Sequence, residues 1–568
     1  MDTVCRINRN LSGICSRRER ACTRLRLSSR PGSGRFRNFT AVVLIASILA
    51  AGGCATVGPN FSPPPASVAE GWIDHGDPKV KTAQVDYAEW WKVFNDPVLD
   101  SLIDTAYRQN LTLQAAGLRI IEARAQLGIA LGNQFPQQQQ VQAGYSYNET
   151  SRNAPNTAGA GDLHYQLYNY SFDASWELDF WGRFKRAIES ADAALIASMA
   201  DYDDVLITLL ADVASTYVLI CIFDERIEVA RENVELQKQS LGLTEVLFRN
   251  GAVTELDVQQ ARSLLYDTQA QIPQLEIGLR QARNALSILL GVPPQDLTPM
   301  LGENFRKIPA APEEVTLGIP AELIMRRPDV RAAELQAAAQ CARIGVARAD
   351  LFPSIILTGS FGFLSSDSSL TRTGGSSFGD LFDWKSFTMT TGPSIQWPIL
   401  NYGRIKNNVR LQDARFQELL VNYQNTVLLA AQEVEDALIA FLRSQDQAAF
   451  LLESVKAAKR AVDLSFIQYR EGAVDYTRVL NTQQALVQQQ DRLTQSRGAV
   501  PTNLIALYKA LGGGWQIRVG REYLSEENLQ AMRKRTDWGR LLPATDLPRT
   551  LDPPPPADVR SLPKRPDW

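Results

Sequence analysis

Histidine is nearly absent from this 568-residue chain: His75 and His164 are the only two. Both precede Gly375-Ser376-Ser377-Phe378-Gly379, which fits the G-x-S-x-G pattern of serine hydrolases, and that chemistry needs a histidine after the serine. The pattern also falls in a Gly/Ser-rich loop instead of between a strand and a helix, so chance accounts for it. There is no phosphate-cradling loop, no dinucleotide fingerprint and no His/Cys cluster spaced for a metal. An enzyme is therefore not expected, and neither is a cofactor or a metal.

Cysteine and long apolar runs are scarce too. Cys221 and Cys341 lie inside long apolar-patterned segments and read as small buried thiols, not as a disulfide framework. The run at 41–51 has 11 residues, too few to cross a ~30 Å hydrocarbon core as a helix. Net charge is only −3, with mixed signs, so nucleic acid is not an expected partner. What the front end does contain is ten arginines against Asp2 and Glu19 in residues 1–40, then the short apolar run, then Gly52-Gly53-Cys54. That order reads as a secretory signal over 1–53. Ala51-Gly52-Gly53-Cys54 resembles a bacterial lipobox, which makes Cys54 the lipid-carrying first residue of the exported chain. Ala55 stands where an aspartate would mark inner-membrane retention, so the expected destination is the outer membrane.

The strongest signal is internal. RNGAVTELDV at 249 returns as REGAVDYTRV at 470, an offset of 221 residues. The same offset carries Trp176 onto Trp397, Gly182-Arg183 onto Gly403-Arg404, Val258 onto Val479 and Gly291 onto Gly512. Further upstream an offset of 217 carries Ala115-Ala116 onto Ala332-Ala333 and Phe135-Pro136 onto Phe352-Pro353. The chain is thus a tandem duplication of roughly 190-residue units, 105–292 and 322–513, joined by a linker at 293–321.

Within each unit the periodicity changes. Tyr168, Tyr170, Phe172, Ala174 and Trp176 alternate with Asn169, Ser171, Asp173 and Ser175; Phe387, Met389, Thr391 and Ile395 alternate with Thr388, Thr390, Ser394 and Gln396. Such alternation predicts strands with one apolar and one polar face. Each pairs with a preceding strand, near 139–148 or 354–364, giving β-hairpins at 137–180 and 354–400. After each Gly-Arg the period becomes helical. Residues 404–471 contain no glycine or proline, and 183–250 contain only Gly242. A helix of about 64 residues would extend about 96 Å. It turns at Gly251 or Gly472 and returns to Gly291 or Gly512, with Pro273 and Pro501 expected to kink or locally break the returning arms.

Four strands with an apolar outer face cannot close into a membrane barrel, which needs about eight. Open edges are not tolerated in lipid. Other copies of the chain must complete the sheet: two copies give eight strands, three give twelve. The polar faces (Asn169, Ser171, Asp173, Ser175, Thr388, Thr390, Ser394, Gln396) would then line a water-filled lumen.

These residues carry a resemblance. Cys54-Ala55-Thr56-Val57-Gly58-Pro59-Asn60-Phe61, EWWKVFNDPVLDSLID at 89–104, SWELDFWGR at 175–183, IPAELIMRRPDVRAAE at 319–334, IGVARADLFPSI at 344–355 and GPSIQWPILNYGR at 392–404 are similar to the outer-membrane efflux proteins of the TolC type, in the lipoprotein branch that includes NodT and OprM. The resemblance spans 54 to about 515. It implies a mixed α and β membrane protein: a homotrimer with a twelve-stranded β-barrel and a long periplasmic α-helical barrel. It implies two partners, a periplasmic adaptor and an inner-membrane pump of RND type, with Gly251-Ala252-Val253 and Gly472-Ala473-Val474 matching the docking tips. Asp257, Asp475, Arg478 and Asn481 match the family's gate region, although acidic residues usual after the second tip are replaced here by Arg478 and Asn481. The expected function is the exit duct of a tripartite efflux system for drugs, metals or other small molecules. The rivals are a similar channel for type I protein secretion and a lipid-anchored coiled-coil scaffold without a pore. The tail, 514–568, contains PPPP at 553–556 and reads as extended or disordered.

Overall fold

The computed structural model describes residues 56–542, apart from 66, 84–85, 156–162, 303–306, 370 and 373. The signal segment, Cys54 and the proline run lie outside the described residues. Strand β1 (Val80–Thr82) precedes helices α1 (Pro97–Gln109) and α2 (Leu111–Gly132), strands β2 (Gln138–Glu149) and β3 (His164–Leu178), and helices α3 (Arg183–Arg249) and α4 (Glu255–Leu289). A four-residue helix α5 (Thr298–Leu301) follows. The order then recurs as β4 (Val315–Leu317), α6 (Pro320–Arg326), α7 (Pro328–Ala349), β5 (Ser354–Ser366), β6 (Phe387–Gln396), α8 (Arg404–Arg470) and α9 (Tyr476–Ala510). Helix α10 (Glu526–Arg535) and a single 3-10 turn at Gly539–Leu541 follow.

Helix starts follow local chemistry. Asp96 accepts from the amides of Val98 and Leu99 with Pro97 at the first helical position of α1, and Asn110 accepts from Leu113 at the start of α2. Gly182 and Gly403, both with positive φ, let the chain leave the sheet and enter α3 and α8. Each of those helices has 67 residues, hence a length of about 100 Å. The return helices α4 and α9 have 35 residues each and run unbroken through Pro273 and Pro501, contrary to the local break expected from sequence. Proline removes one intrahelical hydrogen bond, and the turns on either side stay packed along α3 and α8.

The main core lies where α1, α2 and the middles of α3 and α8 meet the ends of α4 and α9. Leu99, Leu102, Ile120, Leu210, Tyr217, Phe441 and Leu504 are fully buried there, and Trp90 stacks on Tyr508 at 5.5 Å. The apolar stretch of α3 is long enough to cross a membrane, but most of it is buried in this core, so it packs as an interior helix. Cys221 and Cys341 are buried thiols.

The C-terminal reading needs correction. Residues 514–542 are folded, not extended: a turn over Trp515–Arg518 leads to α10, which buries Leu529 and Met532. Ser525 caps α10, Glu526 and Glu527 sit in its first turn, and Arg533, Lys534 and Arg535 in its last, which suits the helix dipole. Arg518 pairs with the fully buried Asp203 of α3, its Nη2 donating to Oδ2 at 2.7 Å, and its guanidinium lies over the Tyr523 ring. A buried ion pair and two apolar anchors a turn apart hold this segment on the helices.

Strands β1 and β4 pair in parallel, and the four long strands form one antiparallel sheet in the order β2-β3-β5-β6. Phe172 stands opposite Val141 and Phe361, and Phe361 opposite Met389. Because side chains alternate, this register gathers the aromatics onto one face and Asn169, Ser171, Asp173, Ser175, Thr388, Thr390, Ser394 and Gln396 onto the other. Strands β2 and β6 are the edges of the sheet.

Candidate functional site

The two hairpin tips are built alike. At the end of α3, Gly251 N donates to Phe248 O at 2.9 Å and Ala252 N to Leu247 O at 2.9 Å. At the end of α8, Gly472 N donates to Tyr469 O at 3.0 Å and Ala473 N to Gln468 O at 2.8 Å. These paired bonds satisfy the last helical carbonyls and require a left-handed residue, which glycine supplies at φ 70° in both copies. Gly251, Ala252, Gly472 and Ala473 are exposed, whereas Val253 and Val474 turn inward. Those valines pack on a small cluster centred on Ala261, Tyr469, Tyr476 and Val479, which locks the two tips side by side within one chain. The surface exposed at the tips is therefore glycine and alanine, with the valines beneath it.

The four gate candidates divide in two. Asp257 accepts from both the amide and the hydroxyl of Thr254 at 2.9 Å, closing a capping box at the start of α4. Asp475 caps α9, accepting from the Arg478 amide at 3.3 Å. Both acids thus satisfy helix N-termini. Arg478 and Asn481 are exposed and three residues apart, on one face of α9.

Sequence reasoning passed over Tyr476. Its side chain is buried, its hydroxyl lies 3.2 Å from Ser240 Oγ, and burial raises its pKa, keeping it neutral. The T-shaped Tyr469–Tyr476 pair that flanks the second glycine turn was the available signal. From this point a polar seam joins α3 to α9, with Asn233 donating to Gln490 at 2.8 Å and Arg226 paired with Asp491 at 2.7 Å.

Near the sheet, a second unforeseen residue organises the chain's front end. Arg186 is 4% exposed; its Nε donates to Val57 O at 3.3 Å, and Nη2 to Gly58 O at 3.4 Å and to Asn60 Oδ1 at 2.7 Å. Nη1 meets Glu189 at 2.7 Å. Val57 N donates to Trp181 O at 3.1 Å, and Thr56 lies against Gly182, where β3 has just ended. The segment that follows Cys54 is thereby clamped to the junction of sheet and helices.

Ser376, the serine of the hydrolase-like pattern, donates to Ser366 O at 3.1 Å and lies 2.9 Å from Ser365 Oγ, so its hydroxyl is part of a loop scaffold.

An exposed apolar sheet face, a polar opposite face and paired long helical hairpins fit the class of outer-membrane channels. The outer membrane efflux protein family model matches residues 102–292 and 319–513. The chain is 34% identical over 432 residues to the pyoverdine export outer membrane protein OpmQ of Pseudomonas putida, covering 75% of this chain and 88% of that protein. It is 30% identical over 486 residues to the probable outer membrane lipoprotein SilC of Salmonella typhimurium, covering 83% and 98% respectively. The solved structure of the outer-membrane channel OprN superposes with a TM-score of 0.74 at 31% identity, covering 81% of this chain and all of that one. The chain belongs to the outer membrane efflux protein family, of the NodT and OprM type, and it is an outer-membrane efflux channel.

Proposed function

We propose that three copies of this chain close into a twelve-stranded barrel, carry a lipid on Cys54, and form the exit duct of a tripartite pump. The observation that carries this reading is the four-stranded sheet itself: one exposed apolar face and two edge strands, β2 and β6. In lipid each unpaired edge group costs several kcal/mol, and pairing β6 of one copy with β2 of the next removes every edge at once. Asn169, Ser171, Asp173, Ser175, Thr388, Thr390, Ser394 and Gln396 then line the lumen. Lipidation at Cys54 is supported by the Arg186 clamp: Cys54 is two residues before Thr56, about 7 Å of extended chain from the base of the sheet.

The tips carry the partner reading. Gly251-Ala252 and Gly472-Ala473 offer a small, close-approach surface to an adaptor's helical ends, and the adaptor links the channel to an inner-membrane pump of RND type. Arg478 and Asn481 face the closed end as the gate. The substrate class is small molecules, such as drugs or metals; OpmQ is named for export of pyoverdine.

The test is the molar mass of the detergent-extracted, outer-membrane-fractionated protein, with bound detergent subtracted. A mass near three chains supports the barrel, and cross-linking from Ala252 and Ala473 to a co-expressed adaptor is then the expected next result. A monomer that washes off the membrane once Cys54 is replaced refutes the channel assembly and leaves the scaffold.

A further inference from the structure

The segment between β5 and β6 does something the channel reading does not use. It doubles back over the apolar face of the sheet. Ser365, on the aromatic face and almost fully buried, donates to Ser377 O at 2.8 Å, and Ser376 N donates to Ser366 O at 2.8 Å. A capping box between Ser377 and Asp380 shapes the next turn, Leu381 is buried, and Ser386 Oγ donates to Asp380 O at 2.8 Å. This scaffold sets three aromatics on the sheet's own aromatics. Phe378 meets Tyr168 at 5.4 Å, Phe382 meets Tyr170 at 5.8 Å and Phe363 at 5.7 Å, and Trp384 stacks on Phe387 at 4.7 Å.

All the sheet partners belong to the apolar face, yet the outer sides of the loop aromatics stay open. Phe378 and Phe382 are 61% exposed and Trp384 is 78% exposed. A patch of this kind needs an occupant. A neighbouring copy of the chain joins at β2 and β6, whereas Phe378 and Phe382 rest on β3 and β5, the two central strands. The face they extend is the one turned to lipid. Lys385 beside Trp384 completes the pairing of aromatic and cation found where barrels meet headgroups.

We propose that residues 376–387 form a lipid-facing flange: the loop lies outside the barrel wall, with Phe378, Phe382 and Trp384 embedded at the headgroup–acyl boundary of the outer leaflet. This rests on the reading of the apolar sheet face as lipid-facing. The flange lengthens the apolar belt of each copy at its outer rim, and it keeps this loop off the channel mouth.

The test is spin labelling of the full-length protein in vesicles of phosphatidylethanolamine and phosphatidylglycerol. Single labels are placed by Phe378→Cys and Phe382→Cys, with Val141→Cys on the strand face and Asn153→Cys in the β2–β3 turn as references. Cys221 and Cys341 stay unlabelled at neutral pH, because burial pushes their thiols up to about 12 and about 11. Collision with oxygen and with a water-soluble nickel chelate gives a depth parameter for each site. The flange predicts a positive value at 378 and 382, as at 141, and a negative value at 153. A positive value at 141 with negative values at both 378 and 382 overturns the flange and leaves the barrel standing. Negative values at all four sites overturn the barrel reading along with it.

Discussion

Replacing Arg186 by alanine should release the front of the chain from the sheet–helix junction. The guanidinium makes three hydrogen bonds to residues 57–60, to the carbonyls of Val57 and Gly58 and to Asn60 Oδ1, and it also pairs with Glu189. Bonds to a charged donor are worth about 1.5–3 kcal/mol each, and buried carbonyls left without a donor add a penalty. The two long bonds count for less, so a loss of about 3 kcal/mol for docking of 56–61 is expected. That is a factor of about 150 in the opening equilibrium, at about 1.4 kcal/mol per tenfold. Hydrogen exchange reads it directly: the Val57 amide, which donates to Trp181 O at 3.1 Å, should lose protection by about two orders of magnitude. Amides in the cores of α3 and α8 should be unchanged. An Arg186→Ala protein with native protection over 57–61 would refute the clamp and, with it, the support it lends to lipidation at Cys54.

Two further predictions follow from buried charge and from the turns. Burial raises the Asp203 carboxyl to about 6 from its ordinary 3.8, although Arg518 pulls it down. The folded state then holds this proton more tightly than the unfolded one, so its contribution is full below about pH 4, falls as pH rises to about 6 and is flat beyond. The step is about 3 kcal/mol; it should vanish in Asp203→Asn and move to higher pH in Arg518→Leu, in denaturant melts of the purified protein, and equal slopes in wild type and Asp203→Asn between pH 4 and 6 would refute it. At the tips, Gly472→Val should fold, because no atom lies within 4 Å of an added Cβ, while losing about 1–2 kcal/mol to the left-handed φ. Its assembly mass should be native and its adaptor cross-linking from Ala473 strongly reduced; native cross-linking would mean that the exposed glycine surface is not what the partner reads.

Much of the architecture was readable because its signals are long. A stretch of 404–471 without glycine or proline leaves helix as the only regular structure, and α8 fills Arg404–Arg470 of it. The alternation around Phe172 and Met389 reappears as the two faces of the sheet. Short-range choices were harder. Pro273 and Pro501 read as kinks or local breaks, and the break does not occur, because sequence shows the lost hydrogen bond but not the neighbouring helix that holds the flanking turns. Helix α10 was hidden beside the proline run: ten charged-rich residues carry little periodicity, and their burial depends on Leu529 and Met532 meeting a surface built from residues far away in sequence. Asp257 and Asp475 are gate candidates by charge and position, which sequence shows, whereas the amides they cap become visible only in the fold. Arg186 lies in an ordinary basic stretch, and only the folded chain brings it to Val57, Gly58 and Asn60.

The unpaired edges of the sheet bear on the life of a single copy in the assembly proposed above. A single copy has its helices packed and its core closed, yet it presents a 12-residue edge at β2 and a 10-residue edge at β6, each backed by aromatics. Such edges are templates for any passing strand. If the chain assembles as proposed above, a new copy is vulnerable during the search for partners more than during folding, and the cell must shorten that search or shield it. Delayed assembly should show itself as strand-paired aggregates and as cleavage confined to 138–178 and 354–396, with the long hairpins left whole.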